Sequence, residues 1–416
     1  MTSTKFTFEL EGETEDICYI CGKFPTNLTF MQEKDGNTDI RRSCRSGHGG
    51  PDNMRKHWID NLRWVTVLLV LLYHVIYFYN NKGVFGGIGG FGDGPQYQDV
   101  VMYILYPWFM PLLFILAGIS ARYALEKRPA KEWFKKRTRK LLVPSTIGLL
   151  FLSAGIGWIN TMTGPAAESI AALPGPVKYL IWSISGIGPL WFIQDLWLLS
   201  LVLLIVRKMD TKGKFMELCG KIGLVPLILM GTFFWMGHQT LIMEPDPAGV
   251  NGLWNLYKPA FYLIPFLMGY FVFSHDRVQE IVGRAWIPLM VCALVSGVIL
   301  TVTGFGHDNT LPTYLSSPMN NIYGWLMCLA MMGWFKTSFD RTGVFASYMT
   351  RSSYGIYIVH YLVIATIGYF LKANTLMSPL CIYILLTIAV YILSPLLYEL
   401  LKRIPFIRWC VLGEKK

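Results

Sequence analysis

The sequence predicts an all-α fold, a polytopic transmembrane bundle of about ten helices carrying a small N-terminal head. Three observations lead there. The 416 residues are 53% hydrophobic and only 15% charged, whereas an average soluble domain carries roughly a quarter charged residues. The apolar residues fall in blocks of about 20, long enough to cross a bilayer core. The basic residues behind the net charge of +11 concentrate in alternate connections between those blocks. That placement also answers the charge: basic loops beside apolar spans follow the positive-inside rule, and no nucleic-acid partner is implied. Short alternating strands of the kind that build a membrane β-barrel are absent.

The chain divides into a polar head (1–54), a transmembrane region (55–405) and a cytoplasmic tail (406–416). Residues 1–50 are polar, so no cleavable signal peptide is visible. In the head, Cys18 and Cys21 form a Cys-x-x-Cys pair, and Cys44 precedes His48 by four residues. Together they resemble two halves of a tetrahedral zinc site, and a metal would supply the folding free energy that so short a segment lacks. A flexible tail with reduced thiols is the competing reading. Asn27 begins a glycosylation sequon that matters only if the head is extracellular.

Ten spans are expected, at 63–80, 101–123, 141–160, 188–206, 222–238, 256–274, 286–304, 320–336, 352–371 and 379–401. One set of connections holds Arg128, Lys135, Lys136, Arg137, Arg139, Lys140, Arg207, Lys208, Lys212, Lys214, Arg277, Arg284, Lys336, Arg341, Lys402 and Arg403. The other set holds only Lys82, Lys178, Lys258 and Lys372. Both termini are therefore expected in the cytoplasm of a cell with the protein in its inner or plasma membrane. On the opposite side, Gly83 to Gly94 reads as a flexible re-entrant or lid segment, since it lacks the strand, helix and lysine of a phosphate loop. The 239–255 connection carries Glu244, Asp246, Asn251, Asn255 and Trp254. That composition suits a polyhydroxyl acceptor and equally an ordinary wet loop.

The first span, Ile59 to Tyr79, organises the rest. It opens with Asp60 and Arg63 and then buries His74 in an otherwise apolar run. At about 1.5 Å per residue, Arg63 and His74 stand roughly 16 Å apart on one helix. An imidazole at that depth is costly in hydrocarbon, so it faces a wet cavity or a protein partner. It is either a histidine satisfied by a neighbouring helix or a catalytic base. Other polar residues within spans are Gln194, Asp195, His238 and His360. Asp195 fits three roles: a base, a partner orienting a histidine, or an interfacial carboxylate. His360 follows Tyr357 by three residues, which places both on one helical face.

In this order along the chain, the segments resemble the acyltransferase type three family. Arg63-x10-His74, preceded by Ile59-Asp60-Asn61-Leu62, is similar to its first-helix signature. Phe114 to Gly118 (FILAG) resembles its second-helix motif, with Ala117 where serine is usual. Trp133 to Pro144 resembles its basic segment, with Arg139 or Lys140 in place of the second arginine. Gly188 to Phe192 and Ser353 to His360 are similar to later segments. The resemblance covers about residues 55–405 and is nearest to a glucan-modifying branch that transfers succinyl or acetyl groups. It implies an O-acyltransferase moving an acyl group from cytoplasmic acyl-CoA to a hydroxyl of an extracytoplasmic acceptor, commonly a glycan. His74 would be the base or transient acyl carrier. Asp60, Asp195 and His360 would support the chemistry. Arg63, Arg137, Arg139 and Lys140 would hold the CoA phosphates. A transporter or flippase for a small polar solute is the alternative, although no repeat of the first-helix signature marks a second half. A membrane sensor with a zinc head is a third.

Overall fold

The computed structural model describes residues 56–414 except 81–86, 93, 95, 164–166, 242–257, 307–315 and 374–375. The candidate zinc ligands Cys18, Cys21, Cys44 and His48 lie outside the described residues, as do Glu244, Asp246, Asn251, Trp254 and Asn255. Among the described residues the regular structure is helical. The long elements are α1 (His57–Phe78), α2 (Val100–Lys127), α3 (Ala130–Arg137), α4 (Trp191–Met209), α5 (Pro259–Phe271), α6 (Trp286–Gly304), α7 (Pro318–Ser338), α8 (Val344–Lys372), α9 (Pro379–Arg403) and α10 (Pro405–Leu412). Shorter pieces fill the connections.

Six helices among the described residues are long and apolar enough to cross a membrane. They are α1, α6, α8 and α9, together with α2 and α4 extended by their leading turns, to Tyr97–Lys127 and Gly188–Met209. The remaining expected spans are helical but different. Lys214–Gly220 and Leu224–Thr240 meet at 106° and form one bent span or a re-entrant pair. α5 is only 13 residues long. α7 has the length but carries Asn320, Asn321 and Lys336, and its buried positions outnumber its exposed ones. The 141–160 segment is broken into a π turn (Thr138–Leu142), Leu149–Leu152 and Ala154–Thr163.

The first of these breaks falls at Pro144. Proline lacks the N–H that would bond the carbonyl four residues back, and its ring crowds that turn. The carbonyl so released is that of Lys140, and the hydroxyl of Tyr354 on α8 donates to it instead. One proline thus disconnects the basic segment from a regular helix and ties it to α8.

α1 is central. It packs against α2, α7, α8 and α9. Its entry is fixed by Asn61, whose Nδ2 donates to the carbonyls of Phe339 and Arg341, each at 2.7 Å. Asn61 Oδ1 accepts from Trp64 Nε1 at 3.0 Å. At the other end, the amide of Ile88 donates to Phe78 O at 2.8 Å. Lys372, at the end of α8, donates to the carbonyls of Ile88 and Gly89 at 2.6 and 2.8 Å. The described part of the glycine-rich segment is therefore laid over the C-terminal end of α1 and held by a lysine. The α2–α5 contact is closer than side chains allow: a Cβ on Gly118 would stand 2.1 Å from Phe266 O, and one on Gly269 2.1 Å from Ile115 O. Small residues permit such approach between helices where lipid supplies no hydrophobic drive.

Candidate active site

α1 and α8 lie side by side and bring two histidines together. Nδ1 of His74 lies 2.9 Å from Val70 O and 3.2 Å from Nε2 of His360. Nδ1 of His360 in turn faces the carbonyl of Tyr357, one turn earlier on α8. A carbonyl only accepts, so His360 carries its proton on Nδ1 and offers a lone pair at Nε2. Both neighbours of His74 Nδ1 are then acceptors, which places the His74 proton on Nδ1. Nε2 of His74 is left with its lone pair, the state required of a base.

Tyr357 and His360 do share a face, but the link is the Tyr357 backbone carbonyl. The Tyr357 hydroxyl donates elsewhere, to Pro189 O. His360 is fully buried, whereas His74 is partly accessible within the bundle. Aromatic rings line its surroundings: the centroids of Tyr73 and Tyr361 are each 5.3 Å from the His74 ring, and that of Tyr77 is 6.1 Å away. Such walls lower the local dielectric and strengthen any polar interaction inside. Asp195 on α4 is fully buried. It stands close enough to the Tyr262 and Tyr357 phenols to interact with both.

Nearer the N-terminus of α1 lies a cationic group. Arg63 Nη1 donates to Asp60 Oδ1 at 2.9 Å and Arg63 Nη2 to Ser120 Oγ on α2 at 2.6 Å. Arg137, at the end of α3, donates from Nε to Ser200 Oγ on α4 at 2.5 Å and lies over the Trp133 ring at 5.0 Å. The two arginines sense each other: burial and the Arg63 charge bring Arg137 down to about 10. It stays protonated at neutral pH. Lys140 reaches over the Tyr354 ring at 5.0 Å. Arg137 Nη2 and Arg139 Nε are buried with no hydrogen-bond partner among the described residues. Buried donors are almost always satisfied, so this cluster is suited to an anion.

Asp60, Arg63 and Arg137 thus assemble at one level of the bundle with Arg139 and Lys140 beside them, and His74 with His360 at another. Along α1 the two levels are separated by eleven residues, roughly 16 Å. Sequence reasoning missed Ser120, Ser200 and Tyr354. Ser120 stands one helical turn after Ala117, where a serine was expected, and that periodicity was the available signal. Ser200 and Tyr354 meet their partners only through tertiary packing. His238 is apart from both levels, stacked on Phe261 at 3.8 Å with its Nδ1 on Asn321. Among the described residues no group of three or more His, Cys, Asp or Glu is placed to hold a metal ion.

A family model described as an acyltransferase domain, the type three acyltransferases, matches residues 56–399. The glucans biosynthesis protein C of Escherichia coli (strain SMS-3-5 / SECEC) is 19% identical over 376 residues, covering 86% of this chain and 95% of that protein. No solved structure matches. With the family model spanning from the start of α1 almost to the end of α9, the chain belongs to the acyltransferase type three family and is a membrane O-acyltransferase.

Proposed function

We propose that the protein transfers an acetyl or succinyl group from acyl-CoA to a hydroxyl of a glycan on the opposite side of the membrane. The two acceptors at His74 Nδ1, Val70 O and His360 Nε2, carry this reading, because together they leave His74 Nε2 with its lone pair inside the bundle. The phosphates of CoA lie against Arg63, Arg137, Arg139 and Lys140, which already share one level. The thioester then extends along α1 toward His74, a distance within the reach of an extended pantetheine arm. On this reading the basic end of the bundle is cytoplasmic, and with it both termini. The name of the Escherichia coli relative supports a glucan as acceptor.

The chemistry balances with His74 alone moving the proton. Nε2 removes the proton from the acceptor hydroxyl as its oxygen attacks the thioester carbonyl. The tetrahedral adduct collapses, the ester forms, and the carbon–sulfur bond breaks. The imidazolium returns the proton to the departing thiolate, giving free CoA thiol. Val70 O and His360 Nε2 share the Nδ1 hydrogen of His74 and so fix ring and tautomer, the service a carboxylate performs in other base–orienter pairs. Thiol release from acetyl-CoA and succinyl-CoA, with a glucan acceptor, tests the assignment; the carrier alternative moves solute without releasing thiol.

A further inference from the structure

Arg63 and Arg137 come from different helices, carry the same charge, and face one region. Left to electrostatics, two flexible guanidinium groups would turn apart. Each is instead held by a serine, Arg63 by the Asp60 carboxylate as well, and the two serines have the same local geometry. Ser120 Oγ donates its hydrogen to Leu116 O at 2.7 Å, and Ser200 Oγ donates to Leu196 O at 2.5 Å. Both bonds run four residues back along the serine's own helix, a common habit of helical serine. Having spent its single hydrogen, each hydroxyl presents only lone pairs, and each is occupied by one arginine, Nη2 of Arg63 or Nε of Arg137.

We infer that Ser120 and Ser200 are paired positioning residues that hold Arg63 and Arg137 convergent, ready to clamp the phosphates of the CoA donor. This rests on the donor assignment above and deepens it. The Arg137 guanidinium keeps Nη2 buried and without a hydrogen-bond partner among the described residues, so the serine fixes the group by Nε and leaves its distal edge for a ligand. The serines gain nothing for chemistry at His74; their effect is on donor affinity.

The test is equilibrium binding of CoA to the full-length protein in detergent, with donor kinetics alongside. Ser120→Ala and Ser200→Ala should each weaken CoA by about tenfold, the typical loss when a charged hydrogen bond goes. The KM for acyl-CoA should rise by the same factor with kcat unchanged. Ser120→Thr and Ser200→Thr keep both the back-bond and the acceptor and should restore binding. Arg63→Ala and Arg137→Ala are run in parallel. If the arginine variants lose CoA while both alanine variants bind it normally, the serines are ordinary helix residues and the inference fails with the donor site intact. Failure of threonine to rescue, with a lowered unfolding midpoint, also overturns it. If the arginine variants bind CoA normally, the donor assignment itself is wrong.

Discussion

His360 Nε2 lies 3.2 Å from His74 Nδ1 across a sequence separation of 286 residues. The contact exists because α1 and α8 pack along their lengths, and its consequence is chemical. Each imidazole is assigned one tautomer by an acceptor it cannot avoid. A base whose lone pair is aimed in advance needs no reorganisation at the moment of proton transfer.

Replacing His360 by phenylalanine keeps the ring volume and removes the side-chain acceptor at His74 Nδ1, leaving Val70 O. The expected result is a fall in kcat of roughly 10- to 100-fold, as for other residues that orient a functional histidine. CoA affinity should be unchanged, since His360 lies well away from the arginines. Steady-state kinetics with a separate CoA titration checks both statements.

Arg137 supplies a pH signature for donor binding. Its guanidinium titrates at about 10 in the folded protein, depressed by burial and by Arg63. The cationic form therefore dominates below that value and is lost above it. CoA affinity should hold near pH 7 and fall as pH rises toward and through about 10, as Arg137 and Lys140, which burial also holds below its ordinary value, lose their charge; in Lys140→Ala the fall that remains belongs to Arg137, and an arginine at its ordinary value would show none. Calorimetric titrations across that range decide it.

Gly118→Ala should destabilise the bundle by about 1–3 kcal/mol, because the helices must part to admit the methyl group. The added Cβ would meet Phe266 O at 2.1 Å and Tyr270 N at 2.8 Å. Gly175→Ala is the control, with nothing within 4 Å of its Cβ. Thermal unfolding in detergent should show a lowered midpoint for the first substitution alone.

We propose zinc for the Cys18, Cys21, Cys44 and His48 set on the spacing of the ligands. Elemental analysis of the purified protein should find one zinc per chain, and Cys18→Ser should release it. A metal-free wild type would remove the proposal.

The sequence announces what is encoded within one helix. Asp60, Arg63 and His74 share α1, so their spacing alone places a charged end and an imidazole within the bundle, and the structure adds only what each touches. The membrane class was equally legible, because bilayer thickness sets the length of an apolar block. Features made by two helices meeting were not. Nothing near His360 in the chain points to His74, and nothing near Ser200 points to Arg137. The expectation of a regular span at 141–160 fails because hydropathy registers apolar content but not the backbone donor that Pro144 lacks. The shortness of α5 and the bend between Gly220 and Leu224 escape the same measure.

The most direct test is turnover of acyl-CoA by the purified protein against His74→Ala. The account predicts that wild type releases CoA thiol in the presence of a glucan and acylates it, while the variant binds CoA normally and releases none above background. Acceptor acylation retained in His74→Ala would contradict it.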